Sequence, residues 1–413
     1  MLADTHLLTS YAELAIEMGV NLQPDQTLVV VAPVVACEFV RCAVETAYRN
    51  GAKAVHVLWD DDRVTHARLQ HERQEQLQQY PAWKAQAYRD LIDARAAFLT
   101  VVSPHPKLMD DVPTEHMALA MRAASQALAG YREALQSAQV NWSIVAVPND
   151  DWAREVYPQI PTPARLERLW QALARVIRLD TANPMEAWRQ HLGRLTRRIE
   201  TLNGARFRQL RYQGPGTDLR IGLPNEHVWL GGGTKNQDGV LFVPNLPTEE
   251  CFTAPVKTEV EGVVCSTRPL LHGGQWIEDF ELRFSEGRIV EYRARVGQDV
   301  LASILDTDEG ARFLGEVALV PHSSPVSREG VTFCHTLLDE NASCHLAIGS
   351  AYPMNLRDGA QMSREQRRSK GLNESLVHVD FMVGSAELDI DGLDASGRWV
   401  PILRQGEWAA RFA

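Results

Sequence analysis

Residues 335–352 read HTLLDENASCHLAIGSAY and gather His335, Asp339, Glu340, His345 and Tyr352 among apolar or small neighbours. All five are groups that bind a cation or move a proton. A second stretch, LVHVDFMVG (376–384), alternates as a strand does. Val377, Val379, Phe381 and Val383 then share a core face, while His378 and Asp380 share the other, about 7 Å apart. An imidazole and a carboxylate so placed can converge on one ion. The same pattern also suits a His–Asp hydrogen bond, or the polar face of a half-buried strand. In PNLPTEECFTAP (244–255), Glu249 and Glu250 stand side by side between prolines, where no helix runs far. Such a pair can simply face water. In a hydrolytic metal site adjacency has a use, because one carboxylate holds the ion while its neighbour is the general base. Glu316, in FLGEVALVP, enters an apolar strand, where a carboxylate needs a partner or stays at the rim.

Pooled, the second half supplies Glu250, Glu316, Glu340, His345, His378 and Asp380. Four carboxylates and two imidazoles are too oxygen-rich for a closed tetrahedral zinc site, which favours Cys and His. They suit a pair of divalent ions sharing carboxylates, typically ~3.5–4 Å apart. A subset, His345, His378 and Asp380, also has the composition of a two-His-one-carboxylate iron site. His335 and Asp339 are expected to hydrogen-bond the ligands. Cys334 and Cys344 read as inert packing. The other cysteines are Cys37, Cys42, Cys251 and Cys265. No CxxC pair occurs among the six, so a thiolate zinc site is not expected.

The elements that must position these groups fall into two kinds. TLVVVAP (27–33), AVHVLW (54–59), AAFLTVV (96–102) and WSIVAVP (142–148) read as strands, spaced by helices that include 5–19 and 35–50. That alternation predicts an N-terminal α/β domain with a parallel-type sheet. Two helical segments over 164–203 carry Arg189, Arg194, Arg197 and Arg198, read as a solvated helix face. A boundary near 205 divides the chain into domains 1–205 and 206–413. Beyond it, 218–224, 239–244, 262–269, 280–294 and 317–321 are strand-like, with FSEGRI as a hairpin turn. This predicts a C-terminal mixed α+β catalytic domain carrying the two-metal site. GGGTK (231–235) lacks the spacing of a phosphate loop and opens no predicted helix.

Length and charge narrow the function classes. A chain of 413 residues with 45% hydrophobic content and a formal charge of −11 fits a globular protein of two or three domains. The acidic balance argues against nucleic acid or anionic lipid as a partner. No stretch approaches the ~20 apolar residues of a membrane span. The first twenty residues lack the basic, then apolar, pattern of a secretory leader. The expected location is cytoplasmic.

Four motifs in combination, NLPTEECFTAP, GEVALVP, LDENASCHLAIGSAY and SLVHVDFMVG, resemble the thermophilic aminopeptidase family of aminopeptidase T- and S-like metallopeptidases. The resemblance spans nearly the whole chain, from YAELAIEMGVNLQPDQTLVV and AYRNGAKAVHVLWDDD onward. It implies a two-domain, commonly dimeric exopeptidase that removes single residues from peptides with a free N-terminus. The implied metal ligands fall on Glu250, Glu316, Glu340, His345, His378 and Asp380. The implied cofactors are two divalent ions: zinc, cobalt, manganese or magnesium. Tyr352 falls on an implied active-site position, and Glu249 is the expected general base, by analogy with other two-metal aminopeptidases. The N-terminal domain is expected to restrict access or mediate dimer contacts. Distant relatives of the family look like iron enzymes that open hydroxylated pyridine rings. The alternative expectation is therefore a non-haem iron dioxygenase using His345, His378 and Asp380.

Overall fold

The computed structural model describes residues 5–413. Residues 1–4, part of the stretch read for a leader, lie outside it. Among the described residues no helix is long and apolar enough to cross a membrane. The chain divides into two compact units. The first holds residues up to Gly193 together with Gly232–Thr248, and the second holds Arg194–Gly231 and Glu249–Ala413. The expected boundary near 205 is the end of the helix Pro184–Ala205, whereas the observed division falls inside that helix.

The first unit is built on a parallel sheet. Its strands are β1 (Thr27–Pro33), β2 (Ala54–Asp60), β3 (Ala97–Val102), β4 (Trp142–Ala146) and β5 (Asn245–Leu246), in the order β2-β1-β3-β4-β5. Every pair is parallel. The near-continuous apolar runs follow from this, because helical crossovers cover both faces of such a sheet. Val29 and Phe98 pack with Ala96 and Val140 beneath Tyr88 and Tyr131.

One strand-like segment belongs to the other unit. Residues 239–244 were expected as a strand of the C-terminal domain. Instead Leu241–Phe242 pairs with Thr234–Lys235 in a two-stranded ribbon, and Asn245–Leu246 closes the parallel sheet beside Ile144 and Val145. The apolar run is real, but it pairs only with the neighbouring Thr234–Lys235, and the strand that follows it finds its partner about a hundred positions back in the chain. GGGTK leads into that ribbon, not into a helix.

The second unit contains two antiparallel sheets. One has nine strands, among them Gln209–Gly214, Thr217–Gly222, Val260–Cys265, Gln275–Ser285 and Arg288–Val296. FSEGRI forms the predicted hairpin between the last two. Glu286 and Gly287 both take positive φ there (49° and 79°), as a two-residue turn in a right-twisted hairpin requires. A Cβ at Gly287 would meet the Lys257 carbonyl at 1.8 Å, so only glycine fits.

The other sheet has four strands in chain order: β6 (Cys251–Thr253), β7 (Leu314–Leu319), β8 (His345–Gly349) and β9 (His378–Met382). Both sheets contribute to one hydrophobic core, with Phe280 and Phe381 in ring contact at 5.4 Å. On the helix Pro184–Ala205, Trp188, Leu195 and Leu202 are buried at seven-residue spacing, and Arg189, Arg194 and Arg197 are exposed. Arg198 departs from the solvated reading. Its Nε donates to the Phe412 carbonyl (3.1 Å), and its guanidinium lies over Trp408.

Candidate metal centre

The four-stranded sheet of the second unit has one apolar and one polar face, and its register shows why. Phe252 pairs with Ala318, Ala318 with His345, Glu316 with Ala347, Ala347 with Asp380, and Gly349 with His378. Directly paired residues of an antiparallel sheet share a face, as do residues two apart on a strand. Glu316, His345, His378 and Asp380 therefore emerge on one side. Ala318, Ala347 and Gly349 lie between them and leave room above the sheet. Cys251, Val317, Leu319, Leu346, Ile348, Val379 and Phe381 fall on the other side, in the hydrophobic core. Glu250 immediately precedes β6 and joins the polar face. Glu316 was expected at the start of its strand. It lies inside β7, whose six residues are all buried, and so has no rim to retreat to.

The side chains meet in two groups. Donor atoms of Glu250, Glu316 and His345 lie within 4.8 Å of one another, as do those of Glu316, His378 and Asp380. Glu316 belongs to both. His345 Nε2 is 2.9 Å from Glu250 Oε2 and 3.7 Å from Glu316 Oε1. His378 Nε2 is 3.6 Å from Glu316 Oε2 and 3.5 Å from Asp380 Oδ1. Each imidazole is oriented from behind. His345 Nδ1 is 3.1 Å from the Ser343 carbonyl, and His378 Nδ1 is 2.7 Å from the Ser350 carbonyl. A carbonyl only accepts, so Nδ1 carries the proton and Nε2 faces the carboxylates. His345 with His378 and Asp380, the composition of an iron site, does not form a group of its own among the described residues.

Glu340 sits on the short turn Glu340–Ala342, buried beside the cluster but in neither group. Burial first, and then the charges of Asp380 and Glu250, push its carboxyl well above the usual range. Glu249 is also buried, and its backbone N–H donates to Asn341 Oδ1 (2.6 Å). The Tyr352 ring lies 4.9 Å from that of His378 at a steep angle (80°), with Phe252 on another side. Burial and then the Glu316 and Asp380 carboxylates hold its hydroxyl well above the ordinary value, so it keeps its proton. His335 and Asp339 were expected to hydrogen-bond the ligands. They bond backbone instead: Asp339 accepts from the N–H groups of Phe333 and His335, and His335 Nδ1 accepts from that of Leu337. They brace the loop leading to Glu340.

The electrostatics test whether a cation fits. Among the described residues, the carboxylates of Glu250, Glu316 and Asp380 meet only the two histidines within ion-pair range. Burial lifts the Glu316 carboxyl to about 7. Burial opposes charge on His378, but Asp380 and Glu316 outweigh it and raise the imidazole to about 9. His345 is raised well above its ordinary value by Glu250 and Glu316, again against burial. Among the described residues, buried Asp380 Oδ1 makes no hydrogen bond, and His378 Nε2 at 3.5 Å is its ion-pair neighbour. Surplus negative charge therefore draws protons onto groups that would otherwise release them, and a divalent cation meets the same need. The oxygen-rich set with two imidazoles fits zinc, cobalt or manganese, and magnesium less fully.

Comparison with known proteins points the same way. The family model described as Thermophilic metalloprotease (M29) matches residues 4–408. Aminopeptidase 2 of Geobacillus stearothermophilus is 46% identical over 406 residues, covering 98% of each chain. Aminopeptidase AmpS of Bacillus subtilis is 45% identical, covering 97% of this chain and 98% of its own. The solved structure of wild-type AmpT from Thermus thermophilus superposes with a TM-score of 0.90 at 42% identity, covering 98% of this chain and 99% of its own. A 2,5-dihydroxypyridine dioxygenase from Pseudomonas putida shares the fold at 13% identity and a TM-score of 0.51, covering 98% of this chain and 96% of its own.

Proposed function

From the premise that this chain belongs to the thermophilic metalloproteases (M29) and is a metal-dependent aminopeptidase, we propose that Glu250, Glu316, Glu340, His345, His378 and Asp380 hold two divalent cations. The observation that supports the number two is Glu316, whose carboxylate belongs to both donor groups and would serve both ions. Zinc, cobalt, manganese and magnesium are the candidate ions. Bound there, the cations supply a lowered pKa for water and a polarised scissile carbonyl.

The protein's own groups do the rest. The Glu249 carboxylate takes the proton of the attacking water and returns it to the leaving amine. The Tyr352 hydroxyl, which keeps its proton in this environment, donates to the oxyanion that develops on the carbonyl oxygen. The free α-ammonium of a peptide finds its counter-charge among the surplus carboxylates, which is the physical basis for acting at the N-terminus. The family's peptide substrates suit this reading. The chain is further read as a cytoplasmic homodimer, with the N-terminal unit limiting access or making dimer contacts.

The test pairs metal analysis with cleavage of leucine-p-nitroanilide, before and after chelation. The expected result is two equivalents of metal per chain, activity lost on chelation, and activity restored by divalent cation. Cleavage that survives complete metal removal, or a Glu316→Ala protein that keeps both metal and activity, would sink the proposal.

A further inference from the structure

Asn341 is fully buried, and its amide joins two separate parts of the proposed centre. Its Oδ1 accepts the backbone N–H of Glu249, 92 positions away, at 2.6 Å. Its Nδ2 donates to the Leu337 carbonyl at 2.9 Å and to Glu340 Oε1 at 3.4 Å. The amide can face only one way. Reversed, its NH2 would meet the Glu249 N–H, and its oxygen would meet two acceptors. A single rigid plane thus fixes where the Glu249–Glu250 segment begins and where the Glu340 carboxylate points.

We infer that Asn341 is the positioning residue that holds the proposed base, Glu249, in register with the proposed ligand Glu340. This deepens the two-cation reading and rests on it. The physical need is clear from the chain. Glu249 and Glu250 precede a three-residue strand, and Glu340 sits on a three-residue turn. Neither is held by a long element, yet such constellations work only within about 0.5 Å of the productive geometry. The Asn341 amide supplies that restraint without adding charge to an already over-negative cluster. A carboxylate in its place would keep the bond to the Glu249 N–H. Its second oxygen would oppose the Leu337 carbonyl and Glu340, and so would separate the two halves of the role.

The experiment compares Asn341→Leu, Asn341→Asp and Glu340→Ala in the full-length protein. Readouts are metal affinity by chelator competition, kcat and KM on leucine-p-nitroanilide, and circular dichroism well below the melting temperature. Asn341→Leu is expected to weaken metal binding and lower kcat, each by ~10–100-fold, with KM within about threefold. If that variant fails to fold, Asn341→Asp, which keeps the shape, carries the test. It is expected to fold, retain part of kcat and show altered metal affinity. A folded variant with metal affinity and kcat both within about twofold of wild type would overturn the inference. Glu340→Ala separates the failures: if it too keeps metal and activity, the two-cation reading falls, and if it alone loses them, only the role of Asn341 falls.

Discussion

In the N-terminal unit, His105 lies between two carboxylates, with Nδ1 3.1 Å from Asp151 and Nε2 3.9 Å from Asp62. In the C-terminal unit, His345 lies between two others, 2.9 Å from Glu250 and 3.7 Å from Glu316. The chemical groups match, an imidazole between two carboxylates, and the spacing is similar, but the surroundings differ. Asp151 also takes Arg154 at 2.7 Å and Arg63 at 3.3 Å. It borders an open pocket of ≈320 Å³ that Pro33, Asp61, Asp62 and Asn149 also line, beyond the carboxyl ends of the parallel strands. Glu250 and Glu316 are buried, and among the described residues their ion-pair partners are the two histidines, with no guanidinium or ammonium. Among the described residues, groups of three donors within 4.8 Å occur only there. A carboxylate neutralised by arginine and water has little left to offer a dication. One denied both must have a cation, or hold a proton.

The largest effects should come from exchanging equivalent positions in the two networks. Glu316→Ala removes the carboxylate common to both donor groups. Activity should fall by more than the ~10²–10³ of a single lost electrostatic stabiliser, with metal content reduced. Asp151→Ala should leave turnover and metal content at wild-type levels. Loss of metal from Asp151→Ala would break the distinction between the two networks. Within the C-terminal cluster, Glu249→Gln should lower kcat by ~10²–10⁴ while metal content stays unchanged. Tyr352→Phe should cost ~10²–10³ in kcat with metal again retained. Plasma emission spectrometry on the same samples separates ligands from proton movers.

Proton linkage sharpens the contrast. Without metal, Glu316 and His378 titrate near 7 and 9, both above their ordinary values. Groups raised in this way favour the fold below their ordinary pKa and lose that contribution as pH rises through 7 and then 9. Metal displaces the same protons, so its apparent affinity should climb with pH over this window, about tenfold per unit for each proton displaced. The melting-temperature gap between metal-loaded and metal-free protein should widen from pH 5 to 9. Asp151 behaves oppositely. Burial raises its carboxyl, but Arg154 and His105 outweigh that and hold it below the ordinary carboxylate range. Its contribution is complete at pH 5 and is lost only in stronger acid. A gap that stays flat from pH 5 to 9 would mean that cations do not compete for the cluster's protons.

The same contrast explains what the residues revealed in advance. Part of the polar face was legible in LVHVDFMVG, where His378 and Asp380 alternate with core residues, a period-2 signal, whereas only the strand register shows that Glu316 and His345 share that face. The two sheet types were legible for the same reason, since continuous apolar runs mark the parallel sheet. The fifth parallel strand was not, because Asn245–Leu246 is two residues long and its partner is remote. Nor was the true support of Glu340. Nothing in the sequence singles out Asn341, and only its burial and hydrogen bonds show that every polar atom of its amide is committed. His335 and Asp339 misled because sequence proximity to a ligand does not say whether a side chain turns toward it or toward its own backbone.

The smallest expected effect belongs to Arg63, on the solvated side of the comparison. Its side chain is 73% exposed and reaches Asp151 at 3.3 Å. An exposed pair of this kind contributes about 0.2–1 kcal/mol, because water screens the charges and two side chains must be held still. Arg63→Ala should therefore shift the urea midpoint only slightly. Most of that shift should vanish in 1 M salt, where the Debye length falls to ~3 Å. Aminopeptidase turnover should not change, since Asp151 keeps Arg154 and His105. A larger, salt-insensitive loss would show that the His105 network is shielded from solvent as the His345 cluster is. The difference between the two networks would then reduce to arginine content alone.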